Sequence, residues 1–233
     1  MQIIGIKTPI FQKKNNLIDF IQKQIPSLKE GDIIAITSKI VALSQGRIYQ
    51  LKDKKKLIKQ NSKKIIKTPW ALLTFTDNEW RINAGIDESN AKDKIILLPK
   101  NPFETAELIQ KKLIKKFNLK RLGILITDTK SLPLRIGTIG KAIGYAGFKP
   151  LKNYIGKKDL FGRKSRYTQS NIADALAASA VLIMGEGNEQ IPIVIIRNSP
   201  IQFISKKISD KYKNLSISPE KDIYANVYNR PVA

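Results

Sequence analysis

Apolar runs bounded by polar clusters recur along the chain, and their periods sort into two kinds. Continuous or alternating runs predict strands in "MQIIGIKTPI", from Asp32 to Ile36, in "WALLTFTD", "KIILLP", from Leu122 to Ile126, and in "IPIVIIRN". Apolar residues at helical spacing predict helices elsewhere. Leu17, Ile18, Phe20, Ile21 and Ile25 fit one that stops near Pro26, and the basic stretch from Leu51 to Lys67 fits a short amphipathic one. In "NPFETAELIQKKLIKKF" Asn101 can cap, Pro102 takes the first position and Glu104 follows three residues after the cap. "SNIADALAASAVLIMG" is a helix of small residues suited to close packing, and a glycine-punctuated stretch, "IGTIGKAIGYAGF", lies upstream of it. With no repeat and no low-complexity linker, the pattern predicts one α/β domain of mixed α+β character over residues 1–233, with 198–233 as a peripheral tail.

Composition narrows the chemistry. The chain has 233 residues with 42% hydrophobic content, enough for a proper core. It contains no cysteine, which excludes disulfides, thiolate metal sites and cysteine nucleophiles, and no histidine, which removes the commonest neutral-pH base and the commonest transition-metal ligand. Any metal must be held by oxygen, which favours magnesium or manganese. No apolar run reaches membrane-spanning length and "MQIIGIKTPIFQKKNN" lacks the layout of a signal peptide, so a cytoplasmic protein is expected.

A net charge of +23 raises the question of nucleic acid, since lysine and arginine release counterions from phosphate backbones. The distribution argues against nucleic acid as the physiological partner. Only eight of the 42 basic residues are arginine, and most lysines fall on polar helix faces such as "KDKKKLIKQNSKKIIK".

Polar residues at the ends of apolar strands are where α/β proteins usually place ligands. Asp87 and Asn90, in "NAGIDESN", precede one strand; Asp128 and Thr129 close another; Glu186, in "MGEGNEQIP", lies between Gly185 and Gly187. Asp87, Asp128, Thr129 and Glu186 would form an oxygen site for hard divalent cations if the fold gathers them. Taken alone, each reads first as an ordinary turn or cap residue. Ser38 and Lys39 of "TSK" can bind phosphate or simply end a strand, and neither a phosphate loop, a dinucleotide fingerprint nor a serine elbow is present.

Taken in order, "GDIIAITSKIV", "NAGIDESN", "ILITDT", "PLRIGTIGKAIGYAGF", "DLFGR" and "NIADALAASAVLIMGEGNEQIP" resemble the gamma-glutamyl ligases that add glutamate to the deazaflavin coenzyme F420-0, over residues 1 to 198. The resemblance implies a fold peculiar to that family, an intertwined homodimer, and GTP-dependent amide ligation: a substrate carboxylate is phosphorylated, and the amine of L-glutamate displaces phosphate. It also implies two Mg²⁺ or Mn²⁺ ions. By the family's "NAGVDxSN", "SDT" and "MGE", Asp87 and Asp128 would bind the first ion, Thr129 and Glu186 the second, and Asn90 the nucleotide. Ser38, Lys39, the loop Thr8, Pro9, Ile10 and Phe11, and the glycines Gly185 and Gly187 fall in nucleotide-contacting segments. A carboxylate such as Asp159 could take the proton of the attacking amine.

Three departures bear on the acceptor. The family's "DTFGRPWR" reads "DTKSLPLR" here, a lysine after "TSK" is missing from "IVALSQG", and the segment between "QGR" and "NAG" is short and lysine-rich. The metal positions survive all three, so the acceptor is open between the deazaflavin coenzyme and a folate. A non-catalytic nucleotide-binding homologue and a lysine-rich nucleic-acid binder are the alternatives of other classes.

Overall fold

A computed structural model describes residues 1–12, 15–205 and 215–228. Its largest sheet has five strands in the order β1 (Gln2–Ile6), β12 (Ile193–Arg197), β2 (Asp32–Thr37), β8 (Leu122–Ser131) and β9 (Thr138–Ala146). Only β2 and β8 run parallel; the other three pairings are antiparallel. The alternation of β2 explains its unbroken apolar sequence. Ile34 and Ile36 face a core formed with the helices α1 (Leu17–Gln24) and α4 (Pro102–Phe117), whereas Ile33 and Ala35 face a second core under α5 (Ile172–Met184). A strand covered on both faces has no solvent side and needs no polar positions.

Helix starts follow local chemistry. The Asn16 side chain accepts from the N–H groups of Ile18 and Asp19 at 2.9 and 3.2 Å, and Asn171 accepts from Asp174 N–H at 3.0 Å. The expected side-chain cap of α4 is absent: Asn101 occupies the cap position in a left-handed conformation (φ 46°), which turns its amide away, and its carbonyl accepts from Thr105 instead.

The glycine-punctuated stretch is strand β9, which periodicity did not reveal. A Cβ on Gly140 would lie 2.4 Å from the carbonyl oxygen of Ala177 in α5, and one on Gly144 would lie 2.6 Å from Pro102 in α4. The glycines let two helices press directly on one strand. "TSK" differs from expectation in another way: β2 ends at Thr37, and Ser38 opens a helix, α2 (Ser38–Ser44).

The segment from Leu51 to Lys67 divides into a 3₁₀ turn, α3 (Lys54–Gln60) and β4 (Lys64–Lys67). β4 joins β5 (Leu72–Thr76) and the unanticipated β6 (Glu79–Ile82) in a three-stranded antiparallel sheet. Two short antiparallel pairs complete the description, β3 (Ile48–Gln50) with β7 (Lys94–Ile96) and β10 (Leu151–Asn153) with β11 (Gln169–Asn171). Within the expected C-terminal tail, Ile201, Phe203, Ile204 and Leu215 pack on the second core, while 206–214 and 229–233 lie outside the described residues. Among the described residues no helix is long and apolar enough to cross a membrane.

Candidate functional site

The turn that delivers Asp87 is built by backbone strain and one buried hydroxyl. Asn83, Ala84 and Gly85 all have positive φ (50°, 58° and 71°), a costly conformation for the first two. Thr74, fully buried on β5, stabilises it: its Oγ1 accepts from Ala84 N–H at 2.8 Å and donates to Arg81 O at 2.8 Å. Asp87 then exchanges two backbone hydrogen bonds with Ile96, 2.9 and 2.8 Å, which fix it beside β7. Its Oδ1 accepts from Ser89 N–H at 2.7 Å, as an ordinary turn aspartate does, and its Oδ2 pairs with Lys39 Nζ at 2.7 Å. Lys39 also donates to Ser89 Oγ at 2.8 Å. The turn and ligand readings of this segment therefore coexist in one side chain.

Because β2 and β8 are parallel and in register, Thr37 lies beside Thr127, and the next residue of each chain reaches the same place. Ser38 Oγ donates to Asp128 Oδ1 at 3.2 Å. The fourth edge comes from the loop after α5: Asn90 Nδ2 donates to Gly187 O at 3.0 Å, and Thr8 N–H donates to Gln190 O at 3.0 Å. Contacts thus connect the Thr8–Phe11 loop, Ser38, Lys39, Asp87, Asn90, Asp128 and the Gly185–Gly187 segment. Within the N-terminal loop, Pro9 and Ile10 are exposed, while Thr8 is buried and Phe11 turns into the first core, edge-on to Phe20 at 5.0 Å. Gly185 has φ 72°, and the Glu189 carboxylate fills the space where a Cβ would stand and accepts from Gly187 N–H at 2.9 Å. Asp159 accepts from the N–H groups of Phe161 and Arg163, both at 2.9 Å, and closes an exposed turn.

The carboxylates sense one another. Burial pushes Asp128 above its ordinary range, against the charge of Arg81, the Thr129 N–H and the Ser38 hydroxyl. Glu186 is pushed up first by burial; Lys39 pulls it down, and the charges of Asp128, Asp87 and Glu189 add to the rise. Burial also raises Asp87, but the hydrogen bond and charge of Lys39 and the hydrogen bonds from Ser89 together outweigh it and the net shift is downward.

Added cationic charge would relieve Asp128 and Glu186, and the donors are hard oxygens suited to Mg²⁺ or Mn²⁺. Among the described residues no three carboxylates form a ready cage, so an ion here would complete its shell with water and phosphate oxygens. Strand alternation separates the two neighbours on β8. Asp128 meets Ser38, whereas Thr129 shares a face with Thr127, whose hydroxyl lies 3.5 Å from Met184 Sδ at the end of α5. Asp128 and Thr129 therefore project on opposite faces of β8, and Glu186 senses the charges of Lys39, Asp128 and Asp87.

Residues that the sequence reading did not single out complete the surroundings. Arg81 on β6 places NH1 3.5 Å from Asp128 Oδ2 and NH2 2.9 Å from Glu79 Oε2, and Glu79 pairs with Lys141 of β9. The available signal was weak: "EWRI" alternates its charges onto one strand face, but nothing local says what they meet. The altered "DTKSLPLR" leads from β8 into an exposed connection in which Leu134 and Ile136 have essentially no cover.

The family described as "F420-0:Gamma-glutamyl ligase" matches residues 5–69 and 52–198. The coenzyme F420:L-glutamate ligase of Methanocaldococcus jannaschii is 35% identical over 97% of this chain and 97% of its own. The enzymes of the same name from Methanosarcina mazei and Archaeoglobus fulgidus are 38% and 30% identical, over 82% and 81% of this chain and 83% and 84% of theirs. A family match across most of the length, on a chain whose carboxylates and "TSK" residues meet in space, identifies this protein as a ligase belonging to the F420-0:gamma-glutamyl ligase family.

Proposed function

We propose that the protein joins L-glutamate to a carboxylate of coenzyme F420-0, consuming GTP and using two divalent cations. The observation that carries the reading is the meeting of Ser38 with Asp128 and of Lys39 with Asp87, four residues from three parts of the sequence. Asp87 and Asp128 would hold one ion, Thr129 and Glu186 the other. Bound there, the ions supply charge neutralisation for the phosphates and polarise the transferred phosphoryl group.

The chain's own residues do the positioning. Lys39, whose Nζ lies between Asp87 and Ser89, carries a mobile charge that can turn to a phosphate oxygen. Asn90 ties the Asp87 turn to the 185–187 loop and so holds two sides of the nucleotide site at a fixed separation. The acceptor carboxylate attacks the γ-phosphorus and GDP leaves. The glutamate amine then attacks the acyl carbon, and inorganic phosphate departs as the amide forms. Neither step needs histidine, because the departing phosphate can take the amine's proton. A homodimer would cover apolar side chains that a single chain leaves open, including Leu134, Ile136, Leu160 and Phe161.

The test is GDP release with GTP, Mn²⁺ and L-glutamate against coenzyme F420-0, dihydrofolate and tetrahydrofolate, with products weighed by mass spectrometry. A gain of one glutamate residue on coenzyme F420-0 is expected. A gain only on a folate moves the acceptor to the pterins. No gain on any, with metal-dependent GTP binding intact, makes this a nucleotide-binding homologue that ligates none of them.

A further inference from the structure

Four charged side chains form a single row across three strands beside the site. Asp128 and Lys141 are directly opposed in the β8–β9 ladder, so both project on one face. Glu79 and Arg81 are two apart on β6 and share a face likewise. The row reads Lys141, Glu79, Arg81, Asp128, with alternating charge: Lys141 pairs with Glu79, Glu79 with Arg81 at 2.9 Å, and Arg81 stands 3.5 Å from Asp128. The side chains of Lys141, Arg81 and Glu79 are only 8%, 13% and 17% exposed.

Attachment of the three-stranded sheet alone does not explain the row, since apolar residues would secure that contact at least as well as buried charge. Its geometry is specific at the Asp128 end. Ser38 holds Oδ1 by a hydrogen bond, whereas Arg81 faces Oδ2 at a distance beyond a normal hydrogen bond. The carboxylate is thereby oriented from both sides while Oδ2 keeps its capacity for another partner. Arg81 Nε is buried and has no hydrogen-bond partner among the described residues, so the fork is held by its two ends. The same strand continues through the strained Asn83–Gly85 turn to Asp87. One fixed point on β6 therefore sets both the orientation of Asp128 and the place where Asp87 is delivered.

We propose that Arg81 is a positioning residue for the cation and nucleotide site, acting through Asp128 and held in place by Glu79 and Lys141. The inference rests on the reading of Asp128 as a cation ligand. Lysine cannot replace Arg81, because one ammonium lacks the fork that spans Glu79 and Asp128.

The experiment measures Mn²⁺ affinity by electron paramagnetic resonance, with a non-hydrolysable GTP analogue present, for the wild type, R81Q, R81K, E79Q and D128N. Steady-state KM values for GTP and L-glutamate accompany it. Coulomb attraction alone predicts tighter Mn²⁺ binding once a neighbouring cation is removed. Positioning predicts the reverse in R81Q, roughly tenfold weaker binding, as for other residues that orient a metal ligand; E79Q removes an anion, so both accounts predict weaker binding there, and R81K, which keeps the charge, separates them. R81K should behave like R81Q, the KM for GTP should rise, and that for L-glutamate should stay unchanged. Unchanged or tighter Mn²⁺ binding in R81K overturns the proposal, and this milder variant serves if R81Q fails to fold. D128N separates the two readings: if it binds Mn²⁺ like the wild type, the ligand assignment itself falls; if it alone loses binding, only the role of Arg81 does.

Discussion

Asp87 hangs from a turn with its side chain 40% exposed and Lys39 Nζ at 2.7 Å, whereas Asp128 projects from the middle of a sheet with 23% exposure and Arg81 at 3.5 Å. Each carboxylate has a resident cation, yet the shifts are opposite, downward for Asp87 and upward for Asp128. At Asp87 the hydrogen bond and charge of Lys39 and the hydrogen bonds of Ser89 together outweigh desolvation, whereas at the more deeply buried Asp128 the guanidinium, the Thr129 N–H and the Ser38 hydroxyl do not. Asp87 is thus satisfied by the protein itself. Asp128 is the one of the two that added positive charge would relieve.

The largest effect that could break this contrast is on turnover. Asp128→Asn should reduce glutamate ligation on the order of 10³-fold, comparable to removing a preorganised electrostatic group. Asp87→Asn should cost less, because Lys39 then stands free to meet the phosphates. Ligation assays of both variants under saturating Mn²⁺ test the order, and a heavier loss in Asp87→Asn would reverse the roles.

Stability in metal-free buffer sharpens the contrast by its sign. Asp128 has a folded value above the unfolded one, so the native state binds more protons through that window and loses stability as pH rises across it. Asp87 has a folded value below the unfolded one, so its contribution is present above the unfolded value and lost as pH falls through the folded value. In EDTA at neutral pH, Asp128→Asn should therefore melt higher than the wild type and Asp87→Asn lower. Both differences should shrink by about pH 3, where free carboxylates are mostly protonated. Melting curves of the three proteins at the two pH values decide it; shifts of the same sign would mean that the environments are not opposed.

Lys39 is the next lever. In Lys39→Met the hydrogen bond and charge that lower Asp87 are gone while its burial stays, so the Asp87 carboxyl should titrate above its ordinary range. A carbon-13 carboxyl titration reads this directly, and an Asp87 that still titrates low would show that the Ser89 contacts, not Lys39, control it.

How much of this was legible in the sequence depends on whether the cause was local. The helices at Leu17–Gln24 and Ile172–Met184 announced themselves by apolar spacing and by a run of small residues, and β2 announced itself because both its faces are covered, whereas the cap expected of Asn101 failed because its backbone is left-handed. β9 stayed hidden because its glycines answer to Ala177 and Pro102, distant in sequence, and α2 because it has no stripe long enough to show a period. The carboxylates, Ser38 and Lys39 stood out by type and by resemblance, but which of them would meet did not, and the row of Arg81, Glu79 and Lys141 gave no sign. Arg81 is one charged residue among many until β6 is seen to meet β8, and the direction of each shift depends on distances that no spacing encodes.

The smallest effect concerns the tie between the two sides of the site. Asn90 has φ 55°, so alanine there would combine loss of the side chain with backbone strain, whereas glycine removes the side chain and accepts the backbone. One neutral hydrogen bond, Asn90 Nδ2 to Gly187 O at 3.0 Å, is then lost. Such a bond is worth about 1 kcal/mol, or roughly fivefold in affinity. Asn90→Gly should weaken binding of a GTP analogue by about that factor, with the melting temperature nearly unchanged, and Asn90→Ala should lower both. Calorimetric titration of the two variants separates the contributions. If glycine is as damaging as a carboxylate substitution, the Asp87 side of the site is held by this one contact and the contrast with Asp128 is one of anchoring as well as charge; if it has no effect, the turn is set by Thr74 and the Ile96 hydrogen bonds alone.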